Sequence, residues 1–300
     1  MIFIATLSHL AVAFGISFPL APNTDVVGEV YTTVTQRRQT LLDLGLRHGL
    51  GYYEILEANP NLPPKSVKSQ TKVVIANQFI LPDAPREGIV VNLPELRLYL
   101  YPPDGQQVIT FPVGIGRYGW STPQAEAKII DKRKNPQWYV PESIFLDMQR
   151  RGITIPRVWP ASPKNPLGQY AMRLDIPGYD IHGTNRKDGV GRRTSAGCIR
   201  MLNEDIAEVY YHVDAGTKVS IVNQPFKIGV KGQDIFFEVH IPLYEETIIQ
   251  SSADFEQAAQ KIVRKFLMKN PGVSIDWEKV KEAVQNPTGI PIVIGHSNVT

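Results

Sequence analysis

Glu95-Leu96-Arg97-Leu98-Tyr99-Leu100-Tyr101 alternates in period two, with Leu96, Leu98 and Leu100 on one side and Arg97, Tyr99 and Tyr101 on the other. A helix would scatter residues at this spacing around its axis, so the run reads as a strand. Pro102-Pro103-Asp104-Gly105 is a turn, and Val108-Ile109-Thr110-Phe111-Pro112-Val113 returns as the hairpin partner. Stretches punctuated by proline and glycine continue to residue 168, and Lys218-Val219-Ser220-Ile221-Val222 supplies a last strand. One helix lies between, with Asn203 placed to cap it and Ile206, Val209, Tyr210 and Val213 as its apolar stripe. Residues 88–223 therefore read as a mainly β domain, a sandwich or barrel with one helix.

Two smaller units flank it. Over residues 30–82 the order is strand (Tyr31–Val34), helix (Gln39–Gly45), helix (Tyr53–Asn59, stopped by Pro60) and strand (Lys72–Ile75), a βααβ unit. Residues 224–300 read as a small α+β extension. Its strand is Phe236–Ile241, and a helix covers Asp254–Met268 with Asp254 and Gln257 as a capping box. Asp276 opens a second helix.

Residues 1–24 contain no Asp, Glu, Lys or Arg, and Ile2 to Leu20 is mostly apolar. This predicts a secretory signal processed near Ser17 or Ala21, or a retained anchor, although no basic residue precedes the apolar run. The composition is that of a globular protein, 43% hydrophobic and 20% charged. A net charge of +3 with no dense basic block argues against nucleic acid as a partner.

The chain has one cysteine, Cys198, within Ser195-Ala196-Gly197-Cys198-Ile199-Arg200. A single cysteine cannot form an internal disulfide, and a free thiol in an oxidising compartment is a liability unless it is used. Sixteen positions upstream stands His182, followed by Gly183-Thr184. A thiol needs a base to become a nucleophile, and an imidazole needs an acceptor on its second nitrogen to fix its tautomer. The Gly183 carbonyl is placed to be that acceptor. Ser195, Gly197 and Cys198 form a tight turn whose N–H groups can approach a reacting carbonyl. Arg200, two residues beyond the thiol, shares its face on a strand and suits a substrate carboxylate. The remaining histidines show no metal-ligand spacing, and no cofactor is expected. Arg186, Lys187, Arg192 and Arg193 read as solvated loop charges, and Trp120, Trp138 and Trp159 as core or groove residues.

His182-Gly183-Thr184 and Ser195 to Met201, with this separation, resemble the signature of L,D-transpeptidase catalytic domains of the YkuD type. Glu95–Tyr101, Gly114-Ile115-Gly116, Asn165-Pro166-Leu167-Gly168 and Glu238-Val239-His240 are similar to supporting stretches. The 30–82 unit, with Thr40-Leu41 and Asn59-Pro60, resembles a LysM peptidoglycan-binding module, and the whole layout resembles the periplasmic Gram-negative subgroup. The resemblance implies that Cys198 attacks the bond between meso-diaminopimelate and D-alanine in a tetrapeptide stem. A thioester forms and passes to an amine, either another stem (a 3→3 crosslink) or a lysine of an outer-membrane lipoprotein. His182 is then base and acid, Gly183 its orienter, and Arg200, Ser195 and Gly197 bind substrate. Carbapenems are expected to acylate the thiol, and no metal or organic cofactor is implied. Many relatives carry histidine where this chain has Ala196. Water as acceptor would make the enzyme a hydrolase, and loss of chemistry would leave a wall-binding protein.

Overall fold

The alternation at 95–101 becomes a strand buried on both faces. In the computed structural model, which describes residues 15–243 and 251–297, a mixed nine-stranded sheet forms the centre. The first unit contributes β1 (Ile16–Pro19), β2 (Val26–Val34), α1 (Leu41–Arg47), α2 (Tyr52–Glu57) and β3 (Lys72–Ile80). The central unit begins with β4 (Gly88–Asn92), β5 (Arg97–Tyr101), β6 (Gln107–Pro112), β7 (Ile115–Gly116) and β8 (Ala125–Lys134). An excursion follows, made of β9 (Trp138–Tyr139), α3 (Glu142–Arg150) and β10 (Val158–Trp159). The unit ends with β11 (Tyr170–Leu174), β12 (Asp180–His182), β13 (Arg193–Ser195), β14 (Ile199–Arg200), α4 (Asn203–His212) and β15 (Lys218–Val222). The last unit holds β16 (Phe226–Lys231), β17 (Asp234–Val239), α5 (Ser252–Lys269), β18 (Val273–Ile275), α6 (Trp277–Gln285) and β19 (Ile292–Ser297).

The large sheet runs β1-β6-β5-β4-β15-β8-β11-β12-β14, antiparallel except where β4 meets β15 and β12 meets β14. Leu98, Leu100, Ile109 and Phe111 pack on one face with Ile206 and Val209 of α4. Val90, Tyr99, Tyr101 and Val108 pack on the other with Leu41, Leu44, Leu50 and Ile55 of the first unit. Each such aliphatic side chain removed from water contributes about 1.5–3 kcal/mol, so period two here separates two cores. Leu96 precedes the strand at a positive φ of 58°, so the pairing begins at Arg97.

Several boundaries differ from expectation. The long antiparallel β8 and helix α3 occupy a region read as loops, so the central unit has two helices instead of one. Their residues lacked a clean period because α3 buries none of its side chains fully and β8 alternates only in its first half. Asn203 does not cap α4. Its carboxamide accepts from the Gln169 N–H at 3.0 Å and donates to the Thr184 carbonyl at 3.0 Å, tying the helix start to the strand ends beside His182. The capping box of α5 is Ser251 with Asp254, one turn before the expected pair. Within the stretch expected as a leader, residues 1–14 lie outside the described residues, whereas β1 pairs with β6 from Ile16↔Thr110 to Pro19↔Gln107. The processing positions expected near Ser17 and Ala21 therefore fall within or just behind an edge strand of the sheet. Among the described residues no helix is long and apolar enough to cross a membrane.

The three units meet at a buried ion cluster. Lys227 Nζ, 3% exposed, lies 2.8 Å from Glu95 Oε2, 2.8 Å from Glu238 Oε1 and 2.6 Å from the Ile80 carbonyl. Glu238 also accepts from the Ile80 N–H at 2.6 Å and pairs with His240 Nε2 at 2.6 Å. Glu95, Glu238 and His240 are a group of three spaced closely enough for a metal ion, and the Lys227 ammonium supplies the positive charge there. Removing one partner of a buried pair leaves the others uncompensated, at a cost of about 3–5 kcal/mol. Lys227→Ala is therefore expected to lower stability by about that amount in urea unfolding, while the exposed Lys218→Ala changes it by less than about 1 kcal/mol. Equal effects of the two substitutions would contradict this account of how the units are joined.

Candidate active site

Strands β12 and β14 are parallel neighbours, with Ile181 opposite Ile199 and His182 opposite Arg200. This pairing brings the two separated motifs side by side, and the Met201 N–H closes it by donating to the His182 carbonyl at 2.9 Å. Cys198 sits in the turn between β13 and β14. That turn needs glycine: Gly197 has φ +107°, and a Cβ there would come within 2.8 Å of the Tyr179 ring. Ser195 Oγ accepts from the Gly197 N–H at 3.1 Å and donates to the Cys198 carbonyl at 2.6 Å, and Thr122 Oγ1 donates to the Gly197 carbonyl at 2.6 Å. Ser195 and the Gly197 amide are thus engaged with the turn itself. They shape the thiol's seat, which differs from the direct substrate contact expected of them.

The thiol faces the loop before β12. The Asp180 N–H donates to Cys198 Sγ at 3.5 Å, and the thiol donates toward the Gly178 carbonyl at 3.7 Å. His182 is 3% exposed and its Nδ1 lies 2.5 Å from the Gly183 carbonyl. A carbonyl can only accept, so Nδ1 carries the hydrogen and Nε2 of the neutral ring keeps its lone pair. Gly183 is itself crowded, since a Cβ there would meet Asn203 Oδ1 at 2.4 Å. Burial, reinforced by the Arg200 guanidinium, draws His182 down to about 4, although the Gly183 carbonyl opposes this. Burial pushes the Cys198 thiol up to about 11, against the Asp180 N–H, which favours the thiolate. Burial thus disfavours both charged forms; the two side chains line one cleft, and among the described residues no hydrogen bond joins Cys198 Sγ to the His182 ring.

Both groups open on a cleft of about 610 Å³. Trp120, Trp138 and Trp159 line it, so the tryptophans left between core and groove belong to the groove. Arg117, Arg133, Arg173, Arg186, Arg193 and Arg200 also line it. Burial holds the Arg200 guanidinium below its usual range, and its buried Nε has no hydrogen-bond partner within the protein; the buried Trp159 Nε1 is likewise without one. Unsatisfied donors in a cleft wall favour a ligand rich in acceptors.

Sequence reading missed the charges beside the thiol. Asp180 lies two residues before His182 on β12, and Arg133 and Arg173 lie on β8 and β11, far from the cysteine motif in the chain. It also missed what the loop between the motifs does. Lys187 pairs with Asp43 at 2.6 Å, and the Arg192 guanidinium lies 3.8 Å from the centre of the Tyr52 ring. The Tyr52 and Tyr53 N–H groups at the start of α2 donate to the Val190 and Gly191 carbonyls at 3.4 and 3.3 Å. The carbonyls of a loop that forms one wall of the cleft thereby satisfy two otherwise free amides at the start of α2. Lys187 and Arg192, expected as solvated charges, are docking contacts for the first unit.

Residues 86–221 match the family described as the YkuD L,D-transpeptidase catalytic domain. The chain is 35% identical over 298 residues to the probable L,D-transpeptidase ErfK/SrfK of Salmonella typhimurium, covering 97% of this chain and 94% of the relative. It is 38% identical over 261 residues to the probable L,D-transpeptidase YcfS of Escherichia coli, covering 81% of this chain and 82% of the relative. Against the probable L,D-transpeptidase YbiS of Escherichia coli it is 33% identical over 298 residues, covering 96% and 95%. With identity at this level carried along nearly its whole length, the chain belongs to the YkuD-type L,D-transpeptidase family of cysteine-dependent acyltransferases.

Proposed function

We propose that this enzyme cleaves the meso-diaminopimelate–D-alanine bond of a peptidoglycan tetrapeptide stem, with Cys198 as acyl carrier and His182 as base and acid. The observation that carries the reading is that the chain's one thiol and an imidazole whose tautomer is fixed by the Gly183 carbonyl line the same arginine-rich cleft. Cys198 Sγ adds to the carbonyl carbon as its proton passes to His182 Nε2. Because the thiol is held high and the imidazole low, this transfer is unfavourable before attack and accompanies formation of the S–C bond. The tetrahedral adduct collapses, the C–N bond breaks, and the imidazolium returns its proton to the departing D-alanine amine. An acceptor amine then gives a proton to His182, attacks the thioester and releases the thiol. Arg200, with no acceptor for its Nε in the protein, holds a stem carboxylate. Ala196 leaves His182 as the single base of the site.

The acceptor in this reading is a lysine of an outer-membrane lipoprotein, a choice that rests on the resemblance of the full-chain layout to the periplasmic Gram-negative subgroup. A 3→3 crosslink to another stem is the second outcome of the same thioester. In this reading residues 1–24 direct export to the periplasm, 30–82 form a LysM-like module that binds glycan, 88–223 carry the chemistry and 224–300 form an extension. The βααβ order of the first unit and the Thr40 cap of α1 support the module assignment.

Incubation with disaccharide-tetrapeptide and a lysine-bearing acceptor peptide, followed by mass spectrometry, is expected to show D-alanine release and an acyl adduct on the acceptor. Cys198→Ala abolishes both, and a carbapenem adds its mass to the wild-type chain alone. Absence of D-alanine release from wild type would overturn the proposal, and release as free tripeptide only would point to water as the acceptor.

The pH dependence carries a sign. His182 must be neutral to accept a proton, and its ionisation is lowered to about 4. The acid limb of kcat/KM for carbapenem acylation is therefore expected near pH 4, well below the ordinary histidine range. A limb near pH 6.5 would show that the imidazole is not held down as described.

A further inference from the structure

Asp180 stands where a carboxylate would be expected to hinder a thiol nucleophile. Its main-chain N–H is the donor on Cys198 Sγ, and its side chain, 9% exposed, lies on the same strand face as His182, two residues on. Two arginines share that carboxylate. Arg173, its cross-strand partner on β11, places Nε 2.7 Å from Oδ1, and Arg133 on β8 places Nη2 2.8 Å from Oδ2. Each oxygen is thus paired with a separate guanidinium, and Asp131 on β8 lies 3.2 Å from Arg133 Nε, so the two arginines balance two carboxylates and leave the Asp180 charge compensated.

The groups around Cys198 come from every element packed against it. His182 and Asp180 lie on β12, Arg173 on β11, Arg133 on β8 and Arg200 on β14, while the cleft loops add Arg186, Asp188 and Arg117. Asp180 opposes a thiolate at Cys198, and Arg200 and Arg173 favour one. In the resting state the thiol donates toward the Gly178 carbonyl while accepting from the Asp180 N–H. A thiolate loses the first contact and keeps the second, so a fixed Asp180 amide matters most once the proton has gone.

We propose that Arg133 and Arg173 are positioning residues for the thiol's ionisation, in which the two guanidiniums cancel the Asp180 carboxylate charge that would otherwise oppose thiolate formation at the sulfur its amide contacts. This deepens the reading of Cys198 as acyl carrier and rests on it. This arrangement needs no contact with substrate; the paired guanidiniums supply the charge that makes a carboxylate tolerable beside the thiol.

The test reads thiol ionisation directly, so it is separable from the transpeptidase reaction. Iodoacetamide alkylates Cys198, the single cysteine of the full chain, with loss of iodide, and below the thiol's pKa the rate follows the thiolate fraction. At pH 8, Arg173→Gln is expected to slow alkylation by roughly three- to tenfold and Arg133→Gln to act in the same direction, while Arg173→Lys stays near wild type. Asp180→Asn is expected to alkylate at least as fast as wild type, and Arg173→Gln combined with Asp180→Asn to recover the rate lost by Arg173→Gln alone. A purely structural ion pair predicts the opposite for the last two, since removing either partner breaks it equally. An unchanged rate in Arg173→Gln, or a slowing in Asp180→Asn equal to that of Arg173→Gln, would overturn the proposal. D-alanine release by wild type would stand in either case.

Discussion

Lys227 is a lone ammonium buried where three parts of the chain converge. Its neighbours are a carboxylate before β5 (Glu95), a carboxylate on β17 (Glu238) and the last carbonyl of β3 (Ile80). A charge this far from water is tolerated only if every partner is in place, so the position of each unit is specified by the other two. A second buried cation repeats the logic on the same sheet. Arg97, with no solvent exposure, binds Glu54 of α2 at 2.7 Å, the Gly49 carbonyl at 2.8 Å and Thr110 at 2.9 Å, and lies 4.1 Å from the centre of the Phe79 ring. Through Glu54, Arg97 fixes α2 against β5. That placement sets the helix start on the Val190 and Gly191 carbonyls, and hence positions one wall of the cleft.

The cleft concentrates what the composition dilutes. A chain of net charge +3 gives little reason to expect an anionic ligand, yet seven arginines, Arg151 among them, line the cavity around Cys198. Their partners differ in a way that divides the work. Arg117 is bound to Asp147 at 2.8 Å, and Arg133 and Arg173 to Asp180, so their charges organise the walls. Arg133 and Arg200 each keep a buried Nε without a hydrogen-bond partner, but among the described residues no carboxylate pairs with Arg200. Close packing that excludes water also explains why thiol and imidazole rest neutral: burial disfavours both charged forms, and only a reacting carbonyl offers the sulfur's electrons somewhere to go.

The parts legible in the sequence were those in which local chemistry and periodicity agree. The strand at Arg97–Tyr101, the strand Lys218–Val222, the βααβ order and the α6 cap at Asp276 follow from alternation, turn residues and capping groups that act within a few positions. Helix α3 was not legible because it buries no side chain fully and so lacks a core-facing stripe. The role of Asn203 was misread for a related reason: a side chain placed to cap its own helix was recruited by Gln169 and Thr184, neighbours only in space.

The sequence by itself determined the candidate pair, Cys198 and His182, and the mainly β scaffold class. A cysteine in a glycine turn, a histidine followed by glycine and a run of period-two strands are statements about bonds and backbone freedom that need no partner elsewhere in the chain. Only the tertiary structure decided how the pair is held. The parallel register of β12 and β14 sets His182 beside Arg200, the Asp180 amide reaches the sulfur, and arginines from β8 and β11 neutralise the carboxylate behind it. These are long-range electrostatic and hydrogen-bond contacts between strands distant in sequence. Their energies depend on burial and separation, which residue order along the chain does not specify.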